Sequence, residues 1–198
     1  MEFEHAGARP RVHPDAVVAQ TAVISGDVTI GADCQILHGA VITAEGGAIT
    51  LGENVIVMEN AVIRAVASAP VHIGDHTLIG PGASISGATI GDEVFLATGT
   101  RVFNGARIGE RSEVRINGVV HLRTVLPPDT VVPIGWVAIG DPVEILSPHE
   151  HDRIAAAQRE LDFPGFVFGV DRDTPDVMVQ LTERYGRSLS RHRSDRAL

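Results

Sequence analysis

The run TIGDEVFLATGTRVFNGARIGERSEVRINGVV, Thr89 to Val120, places a branched aliphatic residue at every sixth position: Ile90, Leu96, Val102, Ile108, Val114 and Val120. An α-helix repeats apolar residues every three or four positions and a half-buried strand every two, so a strict six fits neither alone. It fits a parallel β-helix, in which each six supplies one short strand and one corner, and three sixes close a coil. The register continues upstream through Ile73, Ile79 and Ile85, through Leu51, Val57 and Ile63, and from Val12 by sixes to Ile42. The irregular steps, Ile42 to Leu51, Ile63 to Ile73 and Ile85 to Ile90, all fall at the same corner of the triangle. Eighteen such positions make about six coils. Four residues after most of them stands a small or β-branched residue; Cys34 occupies that slot, which makes it a packing residue.

Composition agrees with thin, repetitive layers. Apolar residues make up 44% of the 198 but aromatics only 4%, so Val, Ile, Leu and Ala build the interior. A net charge of −9 speaks against a nucleic-acid partner or an anionic membrane. All 16 basic residues are Arg, which removes Schiff-base chemistry and a P-loop. One cysteine excludes an internal disulfide and a thiolate metal cluster. MEFEHAGARPRV lacks an apolar signal core and no run reaches membrane-spanning length, so a soluble cytoplasmic protein is expected.

The expected division is a β-helix domain over 12–146 and a helical appendage over 147–198. LPPDTVVPIGWVAIGDPVEIL ends the repeat pattern. Ser147-Pro148-His149-Glu150 reads as a capping box with Pro at the first helical position, opening a helix to about Leu161. DFPGFVFGVDRD reads as a loop whose Phe163, Phe166 and Phe168 pin it to the prism or a neighbouring subunit. Thr174-Pro175 opens a second helix that fades into a solvated, Arg-rich tail.

The repeat resembles the hexapeptide-repeat proteins, and that resemblance implies a left-handed coil. Within them the chain is similar to the γ-class carbonic anhydrase-like family over roughly residues 12–160. The matching segments are GAVITAE, LGENVIVMENAVIR, IGPGASISGATIGD and LPPDTVVPIGWVAIGDPVE, and the short step from Ile85 to Ile90 is shared. The resemblance implies a homotrimer whose interface holds a metal on three histidines. Those positions here are Arg64, Pro81 and Ser86. A guanidinium has no lone pair to give, proline has no side-chain donor, and a serine hydroxyl is a poor zinc ligand beside imidazole. A dication about 4 Å from one positive charge meets about 8 kcal/mol of repulsion at an effective dielectric of 20. The expectation is therefore a chain with no metal and no cofactor, and without zinc-dependent hydration of carbon dioxide.

What the former metal cleft keeps is Arg64, Ser86, Thr43, Asn60 and Pro81, read as a pocket for a small anionic metabolite, with Glu59 as a candidate base. The opposing reading pairs Arg64 with Glu59 or with an acid across the interface, as a staple. His38 is a second candidate base, one rung from Glu59, the pair making at most half a metal site. Three function classes stay open: an anion-binding or non-hydratase member of the family, an acyl-CoA-dependent hexapeptide acyltransferase using His38, His76 or His121, and a structural trimer. Against the acyltransferase stands Gly140-Asp141-Pro142-Val143-Glu144, where the family closes on GxPAK.

Overall fold

The computed structural model describes residues 1–198. It is a three-sided parallel β-helix with two helices laid along it. The first face stacks seven strands from Arg11–Val12 to Val125–Leu126, and the second seven from Val17–Val18 to Val131–Val132. The third face is a ten-stranded sheet whose two outermost strands, Glu144–Leu146 and Arg196–Ala197, run antiparallel to the rest. In-register pairing stacks like on like: Ile24, Ile42, Ile63 and Ile85 lie on successive rungs and are wholly buried. Each such side chain adds roughly 1.5–3 kcal/mol of burial, and only neighbouring rungs share it.

The solenoid has about eight turns, more than the six expected. Leu126, Val132 and Ala138 continue the sixes beyond Val120 and are buried inside. Pro127, Pro128 and Pro133 made LPPDTVVPIGW look like the end of the repeat, but they occupy corners, where the missing N–H breaks no ladder. At the other end Glu2–Glu4 adds a strand to the third face, pairing Phe3 with Ser25. The longer steps after Ile42 and Ile63 lengthen the third-face strands to Val41–Glu45 and Val62–Val66, which rise as a rim at that corner. The short step after Ile85 stays low: Gly87, at φ 51°, packs where a Cβ would collide with Ala69.

Helix α1, His151–Leu161, ends where expected but starts later than the capping box implied. Ser147 caps nothing; instead Glu150 reaches back and its Oε2 accepts the Ser147 N–H at 2.9 Å, closing a turn before the helix. Pro164–Phe168 forms one π-helical turn inside the segment expected to be loop. Helix α2, Val177–Leu189, runs into a 3₁₀ turn, Ser190–Ser194, and Arg196–Ala197 then pairs with Glu4 and Phe3. The tail is thus docked by backbone pairing, because the unpaired edge of the Glu2–Glu4 strand offers it a ladder, while most of its side chains stay exposed as expected. No helix is long and apolar enough to cross a membrane.

Candidate functional site

Side chains that point outward from the third face form a column, with Ser25, Thr43, Arg64 and Ser86 on successive rungs and Phe103 and His121 continuing it. Residues 147–198 run back over this column as a strap. Gln158 Nε2 lies 3.2 Å from His121 Nε2, and Phe163 meets Phe103 edge-on with ring centroids 6.0 Å apart. Farther along, the Tyr185 hydroxyl accepts a hydrogen bond from the Arg64 guanidinium, and His192 Nε2 lies 3.0 Å from Glu45. The aromatic contacts Phe163–Phe168 and Phe168–Tyr185, at 5.8 and 5.3 Å, tie the π turn to α2.

Between strap and prism is a cavity of about 510 Å³, within the range of small-molecule sites. The rim built by the irregular steps supplies one wall: Glu45, Val66, Ala67 and Ser68. Arg64, Ser86, Phe103 and Asn104 form the floor, and the strap closes the rest with Phe163, Phe166, Phe168, Arg184, Tyr185 and Arg191. Three guanidiniums therefore face a space containing one carboxylate, in a chain whose net charge is −9. Arg184 donates to the Gly169 carbonyl at 2.8 Å, and none of the three pairs with an acid. Arg64 Nε is buried with no acceptor, a desolvated cationic donor left open.

Two histidines that touch cavity-lining residues, His192 on Glu45 and His121 on Phe103, are driven in opposite directions. The hydrogen bond to Asp195, helped by Glu45, raises the His192 pKa above its ordinary value, favouring the cation. Burial lowers that of His121, which is 6% exposed and stacked on Phe103 at 5.3 Å, disfavouring the cation. Burial likewise raises the Cys34 thiol, and its Sγ lies 3.1 Å from the Gly52 carbonyl, in keeping with a packed residue.

The structure brings Arg64, Ser86 and Thr43 together on adjacent rungs, although Thr43 turns its hydroxyl to Glu45 at 3.4 Å. Asn60 sits at a corner with φ 58°, a left-handed turn that asparagine tolerates, with its Oδ1 close over Gly39. Pro81 is also a corner residue, and its carbonyl accepts the Gly99 N–H at 2.9 Å. Neither lines the cavity, and nor do Glu59 and His38. Glu59 forms no ion pair with Arg64, and His38 Nδ1 lies 2.8 Å from Thr21 Oγ1 on a neighbouring coil. The staple expected between Arg64 and Glu59 is replaced by the Arg64–Tyr185 contact. Sequence reasoning missed Tyr185, Arg184, Arg191 and Glu45. Only Glu45 carried a signal, as the last residue of a strand lengthened by an insertion.

These residues do not fit the metal that the γ-class resemblance implies. At the three ligand positions stand a guanidinium bonded to a phenol, a corner proline and a serine, and the buried Arg64 Nε–H would face the ion.

Residues 70–104 match the family model described as bacterial transferase hexapeptide (six repeats). The chain is 28% identical over 152 residues to gamma carbonic anhydrase 1, mitochondrial, of Arabidopsis thaliana, covering 74% of this chain and 53% of that protein. It is 30% identical over 108 residues to the carnitine operon protein CaiE of Escherichia coli K12, covering 54% and 55%. The chain thus spans about half the length of the curated relatives it matches. Among solved structures, a Bacillus cereus protein superposes with a TM-score of 0.64 at 18% identity over 94% of this chain and 96% of that one. A hexapeptide transferase family protein from Anaplasma phagocytophilum gives 0.52 at 22% identity over 92% and 95%. The fold and the resemblance to γ carbonic anhydrase-like hexapeptide proteins are thereby shown.

Proposed function

We propose that this chain binds a small organic anion, a carboxylate or phosphate carrying an apolar portion, in the cavity under the strap, and that it has no zinc-dependent carbon dioxide hydratase activity. The observation that carries the reading is Arg64, whose buried Nε has no acceptor and whose guanidinium faces Arg184 and Arg191 across the cavity with no acid paired to it. Planar guanidinium donors suit an oxyanion, Ser86 adds a hydroxyl, and the four phenylalanines lining the space suit the ligand's apolar end. In this reading the β-helix of residues 12–146 is the scaffold and 147–198 the cover. The protein assembles as a homotrimer through its second face, whose outward column runs Val17, Gln35, Ile56, Leu78, Phe95, Glu113 and Val131, five of the seven apolar, with Phe95 41% and Val131 46% exposed.

The test is a thermal-shift screen of aliphatic and aromatic carboxylates and phosphates, with a hydration assay on the zinc-supplemented protein. At least one anion raises the wild-type Tm by several degrees, and Arg64→Ala loses that response; a stabilisation of about 1 kcal/mol corresponds to roughly 2–4 °C for a chain of this size. Hydration proceeds at the buffer rate. An Arg64→Ala protein that responds to every anion as wild type does makes Arg64 a structural contact only.

A further inference from the structure

Where the strap ends, at the N-terminal rim of the prism, four chemistry-bearing side chains converge, three of them outside the anion cavity. His5 is 2% exposed, and its Nδ1 lies 2.6 Å from Asp195 Oδ1. The other oxygen of the same carboxylate lies 2.7 Å from His192 Nδ1. The two imidazoles face each other with centroids 4.5 Å apart and planes tilted by 33°. One ligand atom from each of the three residues lies within 4.8 Å of the other two. Behind His192, Glu45 holds Nε2 with its two oxygens at 3.1 and 3.0 Å.

We infer that His5, His192 and Asp195 form a binding site for one divalent transition-metal ion, zinc by preference, with Glu45 orienting His192 from behind. Once each Nδ1 gives up the proton it shares with Asp195, two imidazoles and one carboxylate are a three-ligand set that zinc accepts, leaving a fourth position for water. A carboxylate on the far nitrogen of a ligating histidine is the usual second partner in such sites: it fixes the tautomer that leaves Nδ1 free and makes the ring more basic. The charges close as well, since Asp195 and Glu45 together balance a dication. Tetrahedral ligands about 2.0–2.1 Å from zinc stand roughly 3.3 Å apart, so loading lengthens the two hydrogen-bonded contacts, now 2.6 and 2.7 Å, by about 0.6–0.7 Å.

This site differs from the family's metal position in residues and in place. It joins two ends of the chain, His5 and Asp195 being 190 residues apart in sequence. The ion would clamp the strap to the first strand, and Glu45 belongs both to it and to the cavity wall. In the sequence His38 and Glu59 make at most half a metal site, and no metal is expected from it; the six-residue period says nothing of where the tail returns.

The experiment uses the full chain, stripped with a chelator, dialysed and then given zinc alone. Wild type retains about one zinc per chain through gel filtration, and its Tm rises by several degrees. Asp195→Asn and His192→Gln each weaken zinc binding tenfold or more, whereas Arg64→Ala binds as wild type does, which separates this site from the cleft. Cobalt(II) reads the ligand set without any substitution: strong visible d–d bands are expected from a low-symmetry four-coordinate ion bound by wild type. Wild type that retains no zinc, zinc binding unchanged in both variants, or cobalt that keeps its pale aqueous spectrum would overturn the inference. Because the anion response is read separately on zinc-free protein, either proposal can fail without the other.

Discussion

Arg64 stands where the resemblance puts a ligand, and the rest of the site follows from that one exchange. An imidazole offers a lone pair; a guanidinium offers only donors, so the same rung turns from holding a cation to receiving an anion. Its position was legible because the sixes place Arg64 between Thr43 and Ser86, as the pairing shows. Its partner Tyr185 was not legible, since no local pattern says which rung a distant helix covers. His121 provides a separate test at this scale. Its folded pKa is depressed by burial, so its contribution to stability is complete above the unfolded pKa of about 6.5 and is lost as pH falls through that value toward the folded one. Urea unfolding between pH 7.5 and 5 is expected to show this loss, and His121→Gln to remove it. An unchanged pH slope in the variant assigns the loss to other groups.

At the scale of elements, the rungs are specified twice, by the aliphatic residue inside and by the corner between strands, and the chain satisfies both along most of its length. Ile63 is wholly buried between Ile42 and Ile85, and a solenoid coil has only its neighbours to lean on. Ile63→Ala should therefore cost about 2–5 kcal/mol, read as a lower urea midpoint with an unchanged slope; a loss below about 1 kcal/mol means the stack relaxes around the gap. The period revealed the strands from Val12 to Val120, whereas Leu126, Val132 and Ala138 were hidden by prolines that mark corners as readily as chain breaks. The end of α1 at Leu161 was legible, and its start was not, because Glu150 closes a turn onto Ser147 ahead of the helix. The insertions were placed at the right corner, but that they form a cavity wall depends on a strap whose path is tertiary.

Across the whole molecule the three faces differ in what covers them. The first presents Arg11, Thr29, Thr50, His72, Thr89 and Arg107 to water, the third lies under the strap, and the second carries a mainly apolar column interrupted by Gln35 and Glu113. The proposed trimer would bury this mainly apolar face. Light scattering should accordingly give three times the 21.0 kDa chain mass, and Phe95→Glu should lower it; a wild-type monomer at micromolar concentration refutes the trimer. The central claim, that Arg64 and the strap enclose an anion site, has a built-in reporter. Tyr185 is the only tyrosine in the chain, and its hydroxyl rests on Arg64. Titrating benzoate into protein carrying carbon-13 at the tyrosine Cζ follows a single resonance. The expected result is a saturable shift at one anion per chain in wild type and none in Arg64→Ala. A wild-type resonance that does not move, or one that moves equally in the variant, contradicts the account.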